Sequence, residues 1–591
     1  MQEEITRTER VLRWVEKDRF SLTTATIYVF LIGAFRAFLD SYVKDHGWFN
    51  IYEAAHYIFL AYPEILLGAL VIYFLTKAPI RKIWNVILLG FWVLLLPPIV
   101  DVFILGEFGP DVASRYGYIT IDQMIPSLKS VFINPFDRPE GIASTGQMVM
   151  FFAMMIGSAL YVALKNDLIG KFNSMLKKGK EHVLDFLQSS IKVVLTYYGL
   201  FLSYWLISAL QFIVRIGRSD IILFNIFSLP IKEKYYDFFY TYGYTTGEVF
   251  PAADRPVMGL LQNLAYNQSN LLFSTVFILL GIALALISLR MEYKKYLYMM
   301  LKNIRPLDTS LIVSAGFVGI ASLHLIDGDF SQGWAIDPFY ILHSQYVFLC
   351  LLSIFLLAQF SFLVDDIYAY KRDEERNNPL SKGKIPKYHY KQLTSAYALS
   401  ALFISFVLGR WTLIISIIWI LITLLISSSK ISLTRFNGLI KGGVFGMLAF
   451  FTGYYTPGSW IAFYLEHADG EWIYAANETL IRTPGITIQT LILLIWVLLI
   501  MVVLASYSSP DSYLHFKLSE RSKLDKLKYL ILPVLFLFPL LSYFSILALI
   551  LTGSLAFGTL VWFDLIGRDE IVKVGFMILL IAFSLLLVTN I

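Results

Sequence analysis

The chain is 591 residues long, 57% hydrophobic and only 15% charged, with a mean hydropathy of +0.65. Soluble globular proteins carry about 25% charged residues, so this composition excludes an ordinary soluble protein. The formal net charge is a modest +5 and Lys and Arg concentrate in loops, so we expect no nucleic-acid partner. The single cysteine, Cys350, excludes an intrachain disulfide and a cysteine-based zinc site.

Long apolar runs recur along the chain, and runs of about 18 or more residues predict membrane-spanning helices. The predicted fold class is an all-α polytopic membrane protein with about 15 transmembrane helices. The first six runs lie near residues 25–43, 56–76, 82–106, 147–165, 190–217 and 271–290. The others lie near residues 308–327, 338–365, 394–410, 411–428, 435–455, 487–507, 526–543, 545–566 and 572–590.

A basic stretch at residues 290–306, RMEYKKYLYMMLKNIRP, lies between the two sets of runs. It predicts a cytoplasmic joint between two membrane domains. Residues 1–289 would form a six-span N-terminal domain of unknown role, and residues 307–591 a nine-span domain. The N-terminal domain also has long outer loops rich in Tyr, Phe and Pro, which would offer a surface to a membrane-protein partner.

The distribution of basic loops predicts the orientation, because cytoplasmic loops carry an excess of Lys and Arg. The N-terminus, the turn at residues 77–82, the segment 165–180 and the joint are all basic, and the span count places them on one side. We therefore expect a multi-pass protein of a prokaryotic plasma membrane, with its N-terminus in the cytoplasm and Ile591 outside. The basic excess also predicts contact with anionic membrane lipids.

Several ionisable residues fall inside the predicted spans of the N-terminal domain, where an unpaired charge is costly. Arg36 and Asp40 are four residues apart on one predicted helix, so we expect them to neutralise each other. Glu64 and Asp101 each follow proline, and a transporter built around these two carboxylates is one alternative function. A basic amphipathic helix is predicted at residues 165–188, with lipid headgroups as its partner.

The most informative stretch begins at Asp365 and Asp366, where an apolar run breaks into the basic loop DDIYAYKRDEERNNPLSKGKIP. Carboxylates at a membrane boundary, followed at once by Lys and Arg, suit a site where a divalent metal meets a diphosphate. Mg²⁺ prefers oxygen ligands, and nearby Lys and Arg add fixed positive charge. Asp366 and Asp373 are two turns apart, so they would share one face of a helix.

These features resemble the UbiA superfamily of intramembrane prenyltransferases, whose nine spans have charged loops after the second and the sixth. Residues 365–373, DDIYAYKRD, match the family motif N-D-x-x-D-x-x-x-D, and residues 379–385, PLSKGKI, match its P-L-x-x-G-x-I segment. Residues 427–443, SSSKISLTRFNGLIKGG, are similar to the family's Y-S-P-P-L-K…N-x-x-x-G region. The resemblance covers roughly residues 300–591.

The resemblance implies an enzyme that moves a prenyl group from a prenyl diphosphate to a lipid-like acceptor with the help of Mg²⁺. The implied catalytic residues are Asp366, Asp373 and Asp511. The implied metal ligands are Asp365, Asp366, Asp373 and Asp511. The residues implied to bind the diphosphate are Arg376, Lys382 and Lys384.

The chain departs from the family pattern at four positions. Asp365 stands where the first motif begins with Asn, and it is still an oxygen donor. Ala369 stands where the first motif has Asp, and Ser508 and His515 flank Asp511 where the second motif, D-x-x-D-x-x-x-D, has Asp. A second alternative therefore stays open beside the transporter. In it, the fold is kept as a catalytically retired, lipid-binding or scaffold subunit of a membrane complex.

Overall fold

The computed structural model describes eight stretches of the chain and a few residues of 294–301, 380 and 490–498. The eight stretches are 7–43, 51–106, 145–216, 274–291, 304–321, 345–369, 386–428 and 437–456. These stretches are helical, and none of them contains a strand.

Thirteen α-helices of the described stretches are numbered here in chain order. The first eight are α1 at Arg7–Val15, α2 at Leu22–Val43, α3 at Ile51–Thr76, α4 at Ile80–Gly90, α5 at Thr145–Lys165, α6 at Leu168–Lys178, α7 at Val183–Ile216 and α8 at Ser274–Met291. The others are α9 at Pro306–Ala321, α10 at Gln345–Ala369, α11 at Lys387–Leu408, α12 at Arg410–Ser428 and α13 at Asn437–Tyr454.

Nine helical segments of the described residues are long and apolar enough to cross a membrane. They are α2, α3, the stretch Ile80–Ile104, α5, α7, α8, α10, α11 and α12. The prediction of an all-helical, membrane-embedded protein is confirmed for this part of the chain. The predicted spans up to 435–455 each overlap described helical residues, but α9 and α13, which overlap the spans near 308–327 and 435–455, are not among these nine segments. The predicted spans from residue 526 onward, and most of the one near 487–507, lie outside the described residues.

The chain divides into two compact units. Unit 1 comprises Met1–Asn225 and Gly259–Leu297, and unit 2 comprises Ile226–Met258 and Tyr298–Ile591. Helices α1 to α8 therefore belong to unit 1, and helices α9 to α13 belong to unit 2.

The third span of unit 1 is not a regular α-helix. After α4 the chain continues as a 3₁₀-helix at Phe91–Leu95 and then, beyond Pro97 and Pro98, as a π-helix at Ile99–Ile104. Proline lacks a backbone N–H, and its ring crowds the preceding turn. Two consecutive prolines therefore interrupt the regular hydrogen-bond ladder in the middle of this span.

Glu16, directly after α1, ties the N-terminal segment to two other basic parts of unit 1. Its carboxylate accepts hydrogen bonds from Lys165 and from the hydroxyl of Tyr161, the latter at 3.0 Å, and it pairs with Lys82 at 3.0 Å. Burial by itself would raise the pKa of Glu16, but the hydrogen bonds from Lys165 and Lys82 outweigh burial and hold the pKa below its usual value. Three basic segments that the span count places on one side thus lie together.

The bounds predicted for the amphipathic helix at 165–188 are wrong. Helix α5 continues to Lys165 and α7 begins already at Val183, so only the shorter α6 stands between them. Asp167 and Gly179 have positive φ angles of 49° and 72°, and they break the helical path on either side of α6. Asp167 also caps the first turn of α6 with its side chain.

In unit 2, α9 and α13 cross with their backbones in contact. A Cβ atom on Gly319 would lie 2.0 Å from the carbonyl oxygen of Phe450, and one on Gly453 would lie 2.0 Å from that of Gly316. Small residues let membrane helices approach this closely, and the close packing holds them together where lipid competes for apolar contacts. The two helices are therefore fixed against each other by glycines.

Hydroxyl groups connect α10, α11 and α12 inside unit 2. The Oγ of Ser405 on α11 is 2.7 Å from the Oγ of Ser353 on α10 and 2.7 Å from that of Ser416 on α12. Further along α10, Ser361 is 2.9 Å from Thr423 on α12. These groups satisfy one another where water is scarce, so they fix the position of the helix that carries the predicted aspartates.

Candidate functional site

The two aspartates predicted as metal ligands lie near the end of α10, and both are buried. Asp365 and Asp366 each expose 4% of their surface. Adjacent residues of an α-helix point about 100° apart, so the two carboxylates reach different neighbouring elements.

Asp365 pairs with Lys441 of α13. The Nζ of Lys441 donates to Oδ1 of Asp365 at 2.7 Å, and only 2% of the lysine side chain is exposed. Burial of a lone ammonium group is costly, whereas a close carboxylate offsets much of that cost. The pair therefore neutralises both charges and joins α10 to α13.

Asp366 is held from two other directions. The Nη2 of Arg305, directly before α9, donates to Oδ1 of Asp366 at 2.9 Å. The phenol of Tyr390 on α11 donates to Oδ2 of the same carboxylate at 2.9 Å. Both oxygens of Asp366 therefore have a hydrogen-bond donor.

Arg305 lies among three carboxylates. Its guanidinium is 5.4 Å from the ring centroid of Phe362, which covers it from the apolar side. Burial by itself would lower the pKa of Arg305, but the charges of Asp366, Asp308 and Asp365 raise it instead. The guanidinium therefore stays charged in this surrounding.

We call this set of side chains the aspartate cluster. It consists of Arg305, Asp308, Asp365, Asp366, Tyr390 and Lys441. Carboxylate oxygens are the ligands that Mg²⁺ prefers, and Lys and Arg are the side chains that bind phosphate oxygens. The cluster thus holds both kinds of group side by side, at the ends of four helices of unit 2.

Sequence reasoning found two members of the cluster and assigned no role to Arg305, Asp308, Tyr390 and Lys441. The order in which the predicted spans cross the membrane could have indicated these residues. It places the joint, the end of α10, the start of α11 and the start of α13 on one side of the membrane, and residues from all four meet in the structure.

Five predicted site residues lie outside the described residues. They are Asp373, Arg376, Lys382, Lys384 and Asp511. The departures at Ser508 and His515 also lie outside, whereas Ala369 ends α10 and supplies no carboxylate there.

Of the four predicted metal ligands, only Asp365 and Asp366 can therefore be compared with the requirements of a Mg²⁺ site. Among the described residues, no group of three or more His, Cys, Asp or Glu side chains is arranged to hold a metal ion. The carboxylate chemistry suits Mg²⁺, but Lys441 and Arg305 occupy these carboxylates in the described arrangement. A metal ion at these two carboxylates would have to share them with the two cations or displace the cations.

The ion pair predicted in unit 1 is confirmed. The Nε of Arg36 donates to Oδ2 of Asp40 at 3.0 Å, and the two side chains are 4% and 0% exposed. Arg36 also donates to the backbone carbonyl of Leu94 at 2.8 Å, within the 3₁₀ stretch of the third span. The pair therefore has a structural role, because it stabilises an irregular part of the bundle.

The two carboxylates of the transporter alternative have different surroundings. Asp101 is fully buried, and its Oδ1 accepts a hydrogen bond from the backbone N–H of Gly146 at 2.8 Å. Gly146 lies in the first turn of α5, so Asp101 acts there as a helix cap. Glu64 is half-buried on α3 and makes no hydrogen bond or ion pair with another described residue.

Comparisons of the chain with models of known protein families, with curated proteins and with solved structures find no match. The residues of the aspartate cluster and the sequence motifs around them therefore carry the functional argument.

Proposed function

We propose that unit 2 is a UbiA-like prenyltransferase domain that binds a prenyl diphosphate at the aspartate cluster. In this proposal it transfers the prenyl group to a lipid-soluble or interfacial acceptor. One observation carries the proposal. Two cations, the buried Lys441 and the partly exposed Arg305, meet three buried carboxylates at the ends of α9, α10, α11 and α13, where the motif-bearing loop begins.

The chemistry of the reaction requires such a combination. When the diphosphate leaves, negative charge develops on it and must be neutralised by groups already in place. Lys441 and Arg305 carry fixed positive charge in surroundings of low dielectric, where charge interactions are stronger than in water. Asp365 and Asp366 hold these cations in position when no diphosphate is bound.

The proposal keeps Mg²⁺ as the cofactor, which would add positive charge against the leaving group. Its proposed ligands are Asp365, Asp366, Asp373 and Asp511. Arg376, Lys382 and Lys384 would bind the diphosphate together with Lys441 and Arg305. A metal ion that displaced Lys441 and Arg305 from the carboxylates would free both cations for the diphosphate, so metal and diphosphate should bind cooperatively.

The proposal also includes the number of spans and their orientation in the membrane. It comprises about 15 transmembrane helices, six in an N-terminal domain and nine in a UbiA-like bundle. The N-terminus would lie in the cytoplasm of a prokaryote and Ile591 outside. The grouping of basic segments around Glu16 supports this orientation, because cytoplasmic loops carry the positive excess.

The proposal is tested by diphosphate release from the purified full chain in nanodiscs. Labelled farnesyl and geranylgeranyl diphosphates are supplied with membrane extract as the acceptor source, with and without Mg²⁺. We expect Mg²⁺-dependent release that is lost in Asp366→Ala. Asp366→Asn is the matched variant, since an amide preserves the shape and much of the hydrogen bonding while removing the charge. A folded Asp366→Asn protein with undiminished Mg²⁺-dependent release would rule the proposal out.

A second candidate function is a catalytically retired lipid-binding subunit. The pairing of Asp365 and Asp366 with cations favours this function, because the cations neutralise the two carboxylates without a metal ion. The same assay separates the two functions. Tight binding of the diphosphate without release supports the retired subunit, whereas absence of both binding and release excludes both functions.

A further inference from the structure

Short connections on both sides join helix α6 to two candidate membrane spans. It follows α5 after only Asn166 and Asp167, and it joins α7 through the short turn Gly179–His182. Both α5 and α7 are long and apolar enough to cross a membrane. A helix of 11 residues between two such spans therefore lies at the membrane boundary.

One side of α6 presents large apolar side chains to its surroundings. Ile169 is 60% exposed, Phe172 42% and Leu176 67%. Spacings of three and four residues place these side chains in one stripe along the helix. The other side of α6 packs on α7, where the Nζ of Lys171 donates to Ser189 at 2.8 Å.

The stripe continues onto the exposed surface of α7. The ring of Phe172 lies 5.4 Å from that of Phe186. Leu184, Leu187 and Ile191 are also exposed, at the beginning of the span that α7 forms. Because the exposed apolar face of a membrane span meets acyl chains, the stripe on α6 lies at the same boundary.

Charged residues border the stripe. Lys177 is exposed and follows Leu176 directly, about 100° further round the helix. Residues 165–185 contain five lysines and three carboxylate side chains, so the segment is basic overall. An exposed apolar stripe with lysines at its edge is typical of helices that lie in the interface of an anionic membrane.

We propose that α6 is an interfacial anchor for an anionic lipid leaflet. The stripe of Ile169, Phe172 and Leu176 enters the acyl boundary, and Lys177 faces the headgroups. This inference concerns unit 1 and does not depend on the function proposed for unit 2.

The test measures the depth of two neighbouring positions in the full chain. Nitroxide labels are placed by Leu176→Cys and, as the matched control, by Lys177→Cys, each in a Cys350→Ser background. Nanodiscs contain phosphatidylcholine alone or with phosphatidylglycerol. Collisions with oxygen report contact with lipid, and collisions with a water-soluble nickel chelate report contact with water.

We expect the label at 176 to collide mainly with oxygen and the label at 177 to collide several-fold more with nickel. Phosphatidylglycerol should move the label at 176 deeper, and Lys177→Gln should reduce that shift. Equal nickel access at both positions would overturn the proposal. Exclusion of both probes from position 176 would also overturn it, because a protein surface would then cover the stripe. If phosphatidylglycerol left the depth of the label at 176 unchanged, the claim that α6 prefers an anionic leaflet would be overturned.

Discussion

Both units bury charged side chains among apolar helices, but they neutralise them in different ways. In unit 1, Arg36 and Asp40 are four residues apart on α2, so the two charges neutralise each other within one helix. In unit 2, Asp366 and Asp365 find their cations 61 and 76 residues away along the chain. The second arrangement exists only when several helix ends meet, so it depends on how the helices pack and not on the sequence of any one helix.

The variant Lys441→Met tests the cross-helix pair and should have the largest effect. It leaves the carboxylate of Asp365 buried without its cation, which costs about 3–5 kcal/mol of unfolding free energy. Binding of a prenyl diphosphate should also weaken by at least about tenfold. Thermal unfolding in detergent and ligand binding measure the two effects.

Asp365→Asn in the Lys441→Met background is the control for that variant. It removes the uncompensated charge, so it should recover much of the stability but none of the ligand binding. If the double variant is as unstable as the single one, the ion pair is not the source of the loss.

The variant Arg36→Met tests the ion pair within α2 of unit 1. It leaves Asp40 buried without its partner and should cost about 3 kcal/mol. Diphosphate binding by the folded fraction should stay unchanged, because this pair has a structural role. A folded Arg36→Met protein that no longer binds the diphosphate would show that the two kinds of pair are not functionally distinct.

The variant Gly453→Ala tests whether the cluster depends on the close crossing of α9 and α13. Its Cβ would lie 2.0 Å from the carbonyl oxygen of Gly316, so the helices must separate at a cost of about 1–3 kcal/mol. Because Lys441 lies on α13, diphosphate binding should weaken as well. Gly443→Ala on the same helix is the control, since its Cβ would meet nothing within 4 Å. Equal stability of the two variants would contradict the described crossing.

The smallest expected effect concerns the basic end of unit 1. Glu16→Gln removes the charge bound by Lys82 and Lys165 and should cost about 1 kcal/mol at neutral pH. The pKa of Glu16 is lowered by folding, so its contribution is present above the ordinary value of 4.5 and is lost as the pH falls through the lower folded value. Unfolding of both proteins as a function of pH should therefore converge in acid, and a constant difference down to acidic pH would contradict this assignment.

Hydropathy was sufficient to predict the long apolar helices of the described stretches, because lipid-exposed spans must be both long and apolar, but it did not predict the short α1. It did not predict where α6 begins and ends. Those bounds depend on the positive φ angles of Asp167 and Gly179, which a periodicity signal does not contain. Only Pro97 and Pro98 indicated in the sequence that the third span would be irregular.

Part of the candidate site could also be predicted from the sequence. Asp365 and Asp366 were found because they interrupt an apolar run in a recognisable motif. Lys441 and Tyr390 were not found, because a single Lys or Tyr near a helix end is common. Their roles depend on the positions of α11 and α13. Hydroxyl pairs fix α11 against α10, and glycine contacts fix α13 against α9, so no local sequence pattern contains this information.

The most direct test of the central claim is the binding of a non-reactive prenyl thiodiphosphate to the full chain in nanodiscs, measured by calorimetry with and without Mg²⁺. The account predicts that the wild-type protein and Arg36→Met bind with similar affinity, that Mg²⁺ tightens binding, and that Lys441→Met binds at least about tenfold more weakly, a loss of about 1.4 kcal/mol. Undiminished binding by a folded Lys441→Met protein would contradict the account, because the buried cation of the aspartate cluster would then play no part in holding the diphosphate.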